Sequence, residues 1–228
     1  WRPTMLLLAA GGFLIAASAW LTVRDKHRGS GGFGEVLRGL VTVAAMPQNW
    51  LIAIAGLGAS TPLLGFAGLW GVPYLNATHG LDPKAAAAVT STLFLGWAAG
   101  APLFGWMSDR VGRRVMPFVA GMVLATLSIA VIVYIPGLPV PVITLLCLLC
   151  GFGGSSQTVA FALVREHNLP RLSGTAIGFA NGIFTSAGAL YQPLTGWLLD
   201  LGWRGQMANG ARVYDIVAYQ YALSAIVA

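Results

Sequence analysis

Gly105-Trp106-Met107-Ser108-Asp109-Arg110-Val111-Gly112-Arg113-Arg114 places four charged side chains between two long apolar runs, residues 86–107 and 115–135. A run this short is not a domain. It sits where one apolar segment ends and the next begins, so it reads as a tight loop at a bilayer surface. The whole chain agrees with that setting: of its 228 residues 57% are hydrophobic and 9% charged, with a mean hydropathy of +0.74, whereas a soluble domain carries about a quarter charged residues. Thirty glycines and twelve prolines suit membrane helices, where close approach and kinks are tolerated.

Length and flanking breakers divide the chain into seven apolar segments: 3–23, 50–75, 86–107, 115–135, 140–163, 174–199 and 214–228. All but the last are long enough to span. At about 1.5 Å per residue the last run reaches about 22 Å, short of a hydrocarbon core of about 30 Å. That shortfall, and a first residue, Trp1, that is not Met, predict a chain cut at both ends. The first run ends in Arg24-Asp25-Lys26-His27-Arg28 and not in a small-residue cleavage site, so it is a membrane helix and not a signal peptide.

Alternating the connections across the membrane collects nine basic residues on one side and four on the other. The richer side is expected to be cytoplasmic, because basic residues near span ends resist translocation. The net charge of +6 is therefore a matter of topology; lying between spans and not on one polar face, these residues argue against nucleic acid as a partner. Residues 24–48 are the longest polar stretch. Gly29-Ser30-Gly31-Gly32 reads as a flexible linker, and Phe33, Val36, Leu37, Leu40 and Val41 follow at helical spacing, predicting a short amphipathic helix at the interface.

The chain also repeats itself. Pro102-Leu103-Phe104-Gly105-Trp106-Met107-Ser108-Asp109 returns 91 residues later as Pro193-Leu194-Thr195-Gly196-Trp197-Leu198-Leu199-Asp200, with Pro, Leu, Gly, Trp and Asp identical. The first copy closes the third segment on the arginine-rich side and the second closes the sixth on the other. Three-helix units of inverted topology are a construction of many secondary transporters.

Gly105-x-x-x-Asp109-Arg110-x-Gly112-Arg113-Arg114, in this membrane context, resembles the loop signature of the major facilitator superfamily. The resemblance covers essentially the whole chain. It implies twelve helices in two halves, of which residues 1–23 correspond to helix six, 24–48 to the segment joining the halves, and 49–228 to helices seven to twelve with the last one short. Helices one to five lie outside this sequence. Leu69-Trp70-Gly71-Val72-Pro73-Tyr74 is faintly similar to bacterial permeases for small metabolites. The implied fold is an all-α polytopic membrane helix bundle with inverted three-helix repeats.

The signature also has a reading from its chemistry. Gly105 and Gly112 permit a tight turn and close approach to a neighbour, while Asp109 at a helix end suits the positive N-terminus of another helix. The helix start near Ser173 and Gly174 is one candidate partner, and Glu166 is another, for Arg113 or Arg114. The resemblance implies that Gly105, Asp109, Arg110, Gly112, Arg113, Arg114 and Glu166 form a conformational gate that does not touch substrate. The alternative is a topology anchor with solvated charges.

Apart from Asp215 at the start of the last run, the spans contain no Asp, Glu, Lys, Arg or His. Intramembrane charge marks ion and proton paths, so a proton-coupled cycle would draw its titrating group from elsewhere in the parent protein. His27, His79 and His167 fall in loops and no acid–base pair lies at depth, which argues against an enzyme. Cys147-x-x-Cys150 has no partner His or second Cys pair and reads as two small apolar side chains, with no metal or cofactor expected. Asn76-Ala77-Thr78 matches the glycosylation acceptor pattern, a match that arises easily by chance.

Uncharged polar residues do occur at depth. Gln157 and Asn181 are each about two turns from the arginine-rich side and could face each other. With Thr61, Gln192 and the aromatic walls Phe66, Trp70 and Trp97 they are the candidate substrate-binding residues, and the resemblance places Gln157 and Asn181 on the cavity-lining helices ten and eleven. Interhelical hydrogen bonding explains any one of them equally well. No Arg or Lys is available for a fixed anion site, so the expected substrate is a small polar metabolite, moved by alternating access. The expected protein is a multi-pass permease or symporter of a cell inner membrane, monomeric at full length. A seven-helix receptor is the rival: it explains the segment count but neither the repeat nor the loop signature.

Overall fold

The computed structural model describes residues 2–23, 32–208 and 211–227. The chain divides into two compact units, residues 1–36 and 37–228. The boundary thus falls inside the expected linker region, 24–48, of which the glycine-rich part, 24–31, lies outside the described residues.

The smaller unit contains helix α1, Arg2–Thr22. It buries none of its residues, and its hydroxyls are satisfied internally: Ser18 Oγ donates to the Ile15 carbonyl at 2.8 Å and Thr22 Oγ1 to that of Ser18 at 2.7 Å. Such a helix needs no protein partner to be stable in an apolar solvent.

Helix α2, Phe33–Ala44, crosses the boundary. It buries Gly39 and Val43. Leu37, Leu40 and Val41, part of the expected apolar stripe, remain 50%, 39% and 63% exposed. The stripe is therefore left exposed.

The larger unit continues with α3 (Pro47–His79), α4 (Pro83–Val111), α5 (Val115–Tyr134), α6 (Val140–Glu166), α7 (Ser173–Leu201) and α8 (Ile216–Val227). Asp82 caps α4, accepting from the Lys84 and Ala85 amides at 2.9 Å, with Pro83 in the first helical position. A two-stranded hairpin, β1 (Met207–Ala208) with β2 (Ala211–Arg212), precedes α8. Helices α1, α3, α4, α5 and α6 are long and apolar enough to cross a membrane. The seventh has 29 residues but is not among those five. Ser173, Thr175, Asn181, Thr185, Ser186, Gln192 and Thr195 lower its hydropathy.

Pro62 does not interrupt α3. The helix widens to π geometry over Pro62–Trp70, and the Gly71 amide returns to the Phe66 carbonyl. Proline removes one amide and crowds the preceding turn, and a wider turn absorbs both; π segments of this kind concentrate at functional sites.

Helix α6 holds the unit together. A Cβ on Gly151 would stand 1.8 Å from the Leu93 carbonyl oxygen of α4, one on Gly153 2.5 Å from that of Gly121 in α5, and one on Gly154 2.9 Å from that of Ala59 in α3. Gly96 of α4 meets the Leu148 carbonyl of α6 in the same way, at 2.0 Å. Close backbone approach at small residues is how helices associate where lipid removes the hydrophobic drive. The Gly151–Gly154 run provides this approach, and α6 turns irregular just after it, at Ser155–Ser156.

The buried apolar residues form two cores. One contains Phe66, Tyr74, Leu93, Ile132, Cys147 and Cys150; the other contains Val43, Phe104, Phe118, Leu163 and Phe184. Both halves of the sequence repeat end 29-residue helices with an internal proline, Pro102 in α4 and Pro193 in α7. The paired tryptophans are exposed alike, Trp106 at 60% and Trp197 at 59%, as expected near membrane–water boundaries.

Candidate functional site

At the arginine-rich end Arg114 is the hub. Its guanidinium donates to the Asp109 carboxylate, to Ser108 Oγ at 3.1 Å and to Glu166 Oε1 at 2.9–3.0 Å. Three acceptors from the end of α4 and the end of α6 thus converge on the residue that precedes α5. The hydrogen bond to Asp109, with that to Glu166, raises the guanidinium pKa and keeps it charged. Gly112, at φ +66°, supplies the left-handed residue that ends α4 and aims Arg114 back at it.

Of the two arginines offered for Glu166, Arg114 takes it. Arg110 lies over the Trp106 ring, 5.5 Å from its centroid, and Arg113 is exposed with no ion-pair partner among the described residues. Two expectations are corrected. Asp109 pairs with Arg114 and not with the helix start at Ser173, where a Cβ on Gly174 would meet nothing within 4 Å. Gly105 likewise has open space, so the close approach expected of it is not made by the described residues.

Arg114→Lys keeps the charge but not the planar fork that serves three acceptors. With Asp109 and Glu166 both exposed, the loss is discounted to about 1 kcal/mol, roughly a fivefold shift toward the opened loop. Alkylation of Met107→Cys, a half-buried position, reads that shift; an unchanged rate would show that Arg114 does not hold the loop.

A second clamp at the same end was not legible in the sequence. Asn49 Nδ2 donates to the Val43 carbonyl at 2.8 Å and to Asn168 Oδ1 at 3.2 Å; Asn168 Nδ2 donates to Asn49 Oδ1 at 2.8 Å and to the Val164 carbonyl at 2.7 Å. Both amides are buried. They tie α2, α3 and α6 together two residues beyond Glu166. Each asparagine borders an apolar run, where a polar residue ordinarily reads as interfacial, so only their spatial meeting reveals the pair.

The opposite end has its own charge cluster. Asp200, the repeat counterpart of Asp109, accepts from Arg212 and from the Tyr214 hydroxyl, each at 2.6 Å. Arg212 also lies over Trp203, 4.7 Å from its centroid, and Arg204 pairs with Asp215 at 3.3 Å. Asn76, in the candidate acceptor tripeptide, donates to the Leu81 carbonyl at 2.7 Å.

The candidate substrate residues separate into three groups. Thr61 and Phe66 are corrected to core: Thr61 is 2% exposed with its hydroxyl on the Leu57 carbonyl at 2.9 Å, and Phe66 is fully buried, edge-on to Tyr74 at 5.9 Å. Trp70 and Gln192 are brought together. Gln192 Nε2 donates to the Leu64 carbonyl within the π segment at 2.8 Å, and Trp70 Nε1 donates to the Gln192 carbonyl at 3.0 Å, so α3 and α7 brace each other at the widened turn. Trp97, the middle residue of α4, lays its ring 3.0 Å from where a Gly154 Cβ would stand.

Gln157 and Asn181 remain. Gln157 is 8% exposed and Asn181 is exposed, and the two share no hydrogen bond, so the expected facing pair is not formed. Neither side-chain amide bonds to another described residue. On α7, Gly174, Gly178, Asn181, Gly182, Thr185 and Ala189 are exposed along one face, a small and polar stripe unlike the leucines Leu190, Leu194 and Leu201 and Trp197 exposed beside it.

Residues 50–208 match the family model of the Major Facilitator Superfamily. The chain belongs to the major facilitator superfamily. Among curated members it is 28% identical to a gentisate transporter of Corynebacterium glutamicum, over 78% of this chain and 38% of that protein. It is 28% identical to a lysosomal dipeptide transporter of Danio rerio, over 90% of this chain and 42% of that protein. The crystal structure of a bacterial homolog of the human lysosomal transporter Spinster, inward-facing and unoccupied, superposes with a TM-score of 0.60 at 20% identity, covering 89% of this chain and 45% of the other. The chain spans less than half the length of these superfamily relatives. Membership makes it a multi-pass membrane protein of a transporter family and decides against the seven-helix receptor.

Proposed function

We propose that these residues form the C-terminal half, with helix six, of a secondary transporter that moves a small polar metabolite across the inner membrane by alternating access, its arginine-rich end in the cytoplasm. The observation that carries this reading is the pair of unspent amides, Gln157 and Asn181. A polar group at membrane depth needs a partner, and these find none among the described residues, so a solute, water or another part of the protein must supply it. Trp97, beside Gly154, would wall the level of Gln157, and the Trp70–Gln192 brace lies eleven residues, about 16 Å, further along α7 from Asn181 toward the opposite end. The named substrates of the relatives, an aromatic acid and dipeptides, both carry hydrogen-bonding groups that such amides can meet.

Uptake by the full-length protein in vesicles tests the proposal, with gentisate, dipeptides and neutral sugars as candidates. Asn181→Ala and Gln157→Ala are expected to raise the KM for the transported solute about fivefold each, the cost of one hydrogen bond of about 1 kcal/mol. Two unchanged KM values would assign both residues to packing. Comparing rates with and without a proton gradient decides coupling: the proposal expects a dependence whose titrating group lies outside this sequence, since its spans offer none.

A further inference from the structure

A groove of about 610 Å³ runs between α3 and α5 from the arginine-rich end. One wall is the α5 stripe Val115, Val119, Val123 and Leu127, exposed at 60%, 48%, 52% and 60%; the other includes Leu51 of α3, at 63%. Gln48 and His167 stand among the lining residues where α3 begins and α6 has ended. A second depression shares Val115 and Val119 with the groove and is lined also by Arg113 and by the ion-paired Arg114.

We propose that this groove seats one acyl chain of an anionic phospholipid, with the headgroup phosphate on Arg113. Three observations point to this occupant. The length fits: Val115 to Leu127 is twelve steps, about 18 Å, close to the roughly 15 Å of one leaflet's hydrocarbon. The lining fits, being apolar along its depth except for Thr126, with Gln48 and His167 toward the other end, the pattern of a lipid and not of a metabolite, whose site needs convergent polar anchors. The charge fits, because Arg113 alone of the signature's three arginines has neither an ion-pair partner nor a ring beneath it among the described residues. Arg113 therefore has a role separate from Arg114: one guanidinium holds the loop to the bundle and its neighbour holds the bundle to the membrane surface. Because Val115 begins α5 directly after Arg114, a seated lipid also bears on the helix that the Asp109–Arg114–Glu166 contacts secure.

Native mass spectrometry of the full-length protein, delipidated in mild detergent and offered phosphatidylglycerol or phosphatidylcholine with 16-carbon chains, tests the proposal. The wild type is expected to retain one phosphatidylglycerol per chain with about a fivefold preference over phosphatidylcholine, as one basic residue at an anionic surface provides. Arg113→Gln should reduce that preference to about one. Val119→Trp should displace both lipids, and Val123→Trp, at another half-exposed position, repeats the test should the first variant fold poorly. Val217→Trp, exposed on α8, is the control and should leave retention unchanged. The proposal is overturned if Arg113→Gln keeps the preference, if both groove-filling variants retain lipid like the wild type, or if a second copy of the chain takes the place of lipid and Val119→Trp removes it.

Discussion

Gly151→Val is expected to prevent the bundle from forming. Its Cβ would stand 1.8 Å from the Leu93 carbonyl oxygen and 3.0 Å from the Leu93 Cα. The obstacle is backbone, which cannot rotate aside as a side chain could, so α4 and α6 must separate along their whole contact. Overpacking in a tight core costs about 1–3 kcal/mol when side chains can adjust; here the cost should exceed that range. Parting the helices also removes the Gly96–Leu148 approach. The expected result is loss of the monodisperse peak in detergent gel filtration, while Gly178→Val, where nothing lies within 4 Å, elutes as wild type. A monodisperse Gly151→Val protein would show that α4 and α6 do not pack through their backbones.

The second large effect is expected at Asn49 and Asn168. Asn49→Leu leaves the Val43 carbonyl with only the Met46 amide, at 3.3 Å, and half of Asn168's amide buried without a partner, and an unsatisfied buried group costs about 1–3 kcal/mol. Thermal unfolding in detergent should show each single leucine variant clearly destabilised. The double leucine variant should lose less than the sum, because it removes both orphaned amides together, with a coupling of about 0.5–3 kcal/mol. Strict additivity would mean that the amides are not a unit. Since α2 is held through the Val43 carbonyl, the single variants should also raise proteolysis near Ala44.

The fold was legible because its signals are local. Apolar run length, the Gly112 turn and the repeat from Pro102 and Pro193 each read within a few residues, and they place the helices correctly from 47 to 201. What sequence reading missed depended on direction around a helix axis. Phe66 and Trp70 are four residues apart and belong to the same side of α3, yet only Phe66 is fully buried; Trp70, half-buried at the edge of that core, spends its indole N–H on the Gln192 carbonyl of α7. Thr61 looked like a polar anchor, but its hydroxyl is spent on its own helix, a bond available to any helical threonine. Asn49 and Asn168 lie 119 positions apart in sequence, and nothing near either announces the other. The loop cluster was half visible: its residues were nameable from the motif, whereas the choice of Arg114 over Arg113 required the geometry after Gly112.

The contacts of α6 also bear on how the protein is made. Helices α3, α4 and α5 leave the ribosome before α6, and each presents a backbone surface whose partner, Gly154, Gly151 or Gly153, has not yet been synthesised. They must wait in the membrane as loosely associated spans until the chain has grown past residue 154.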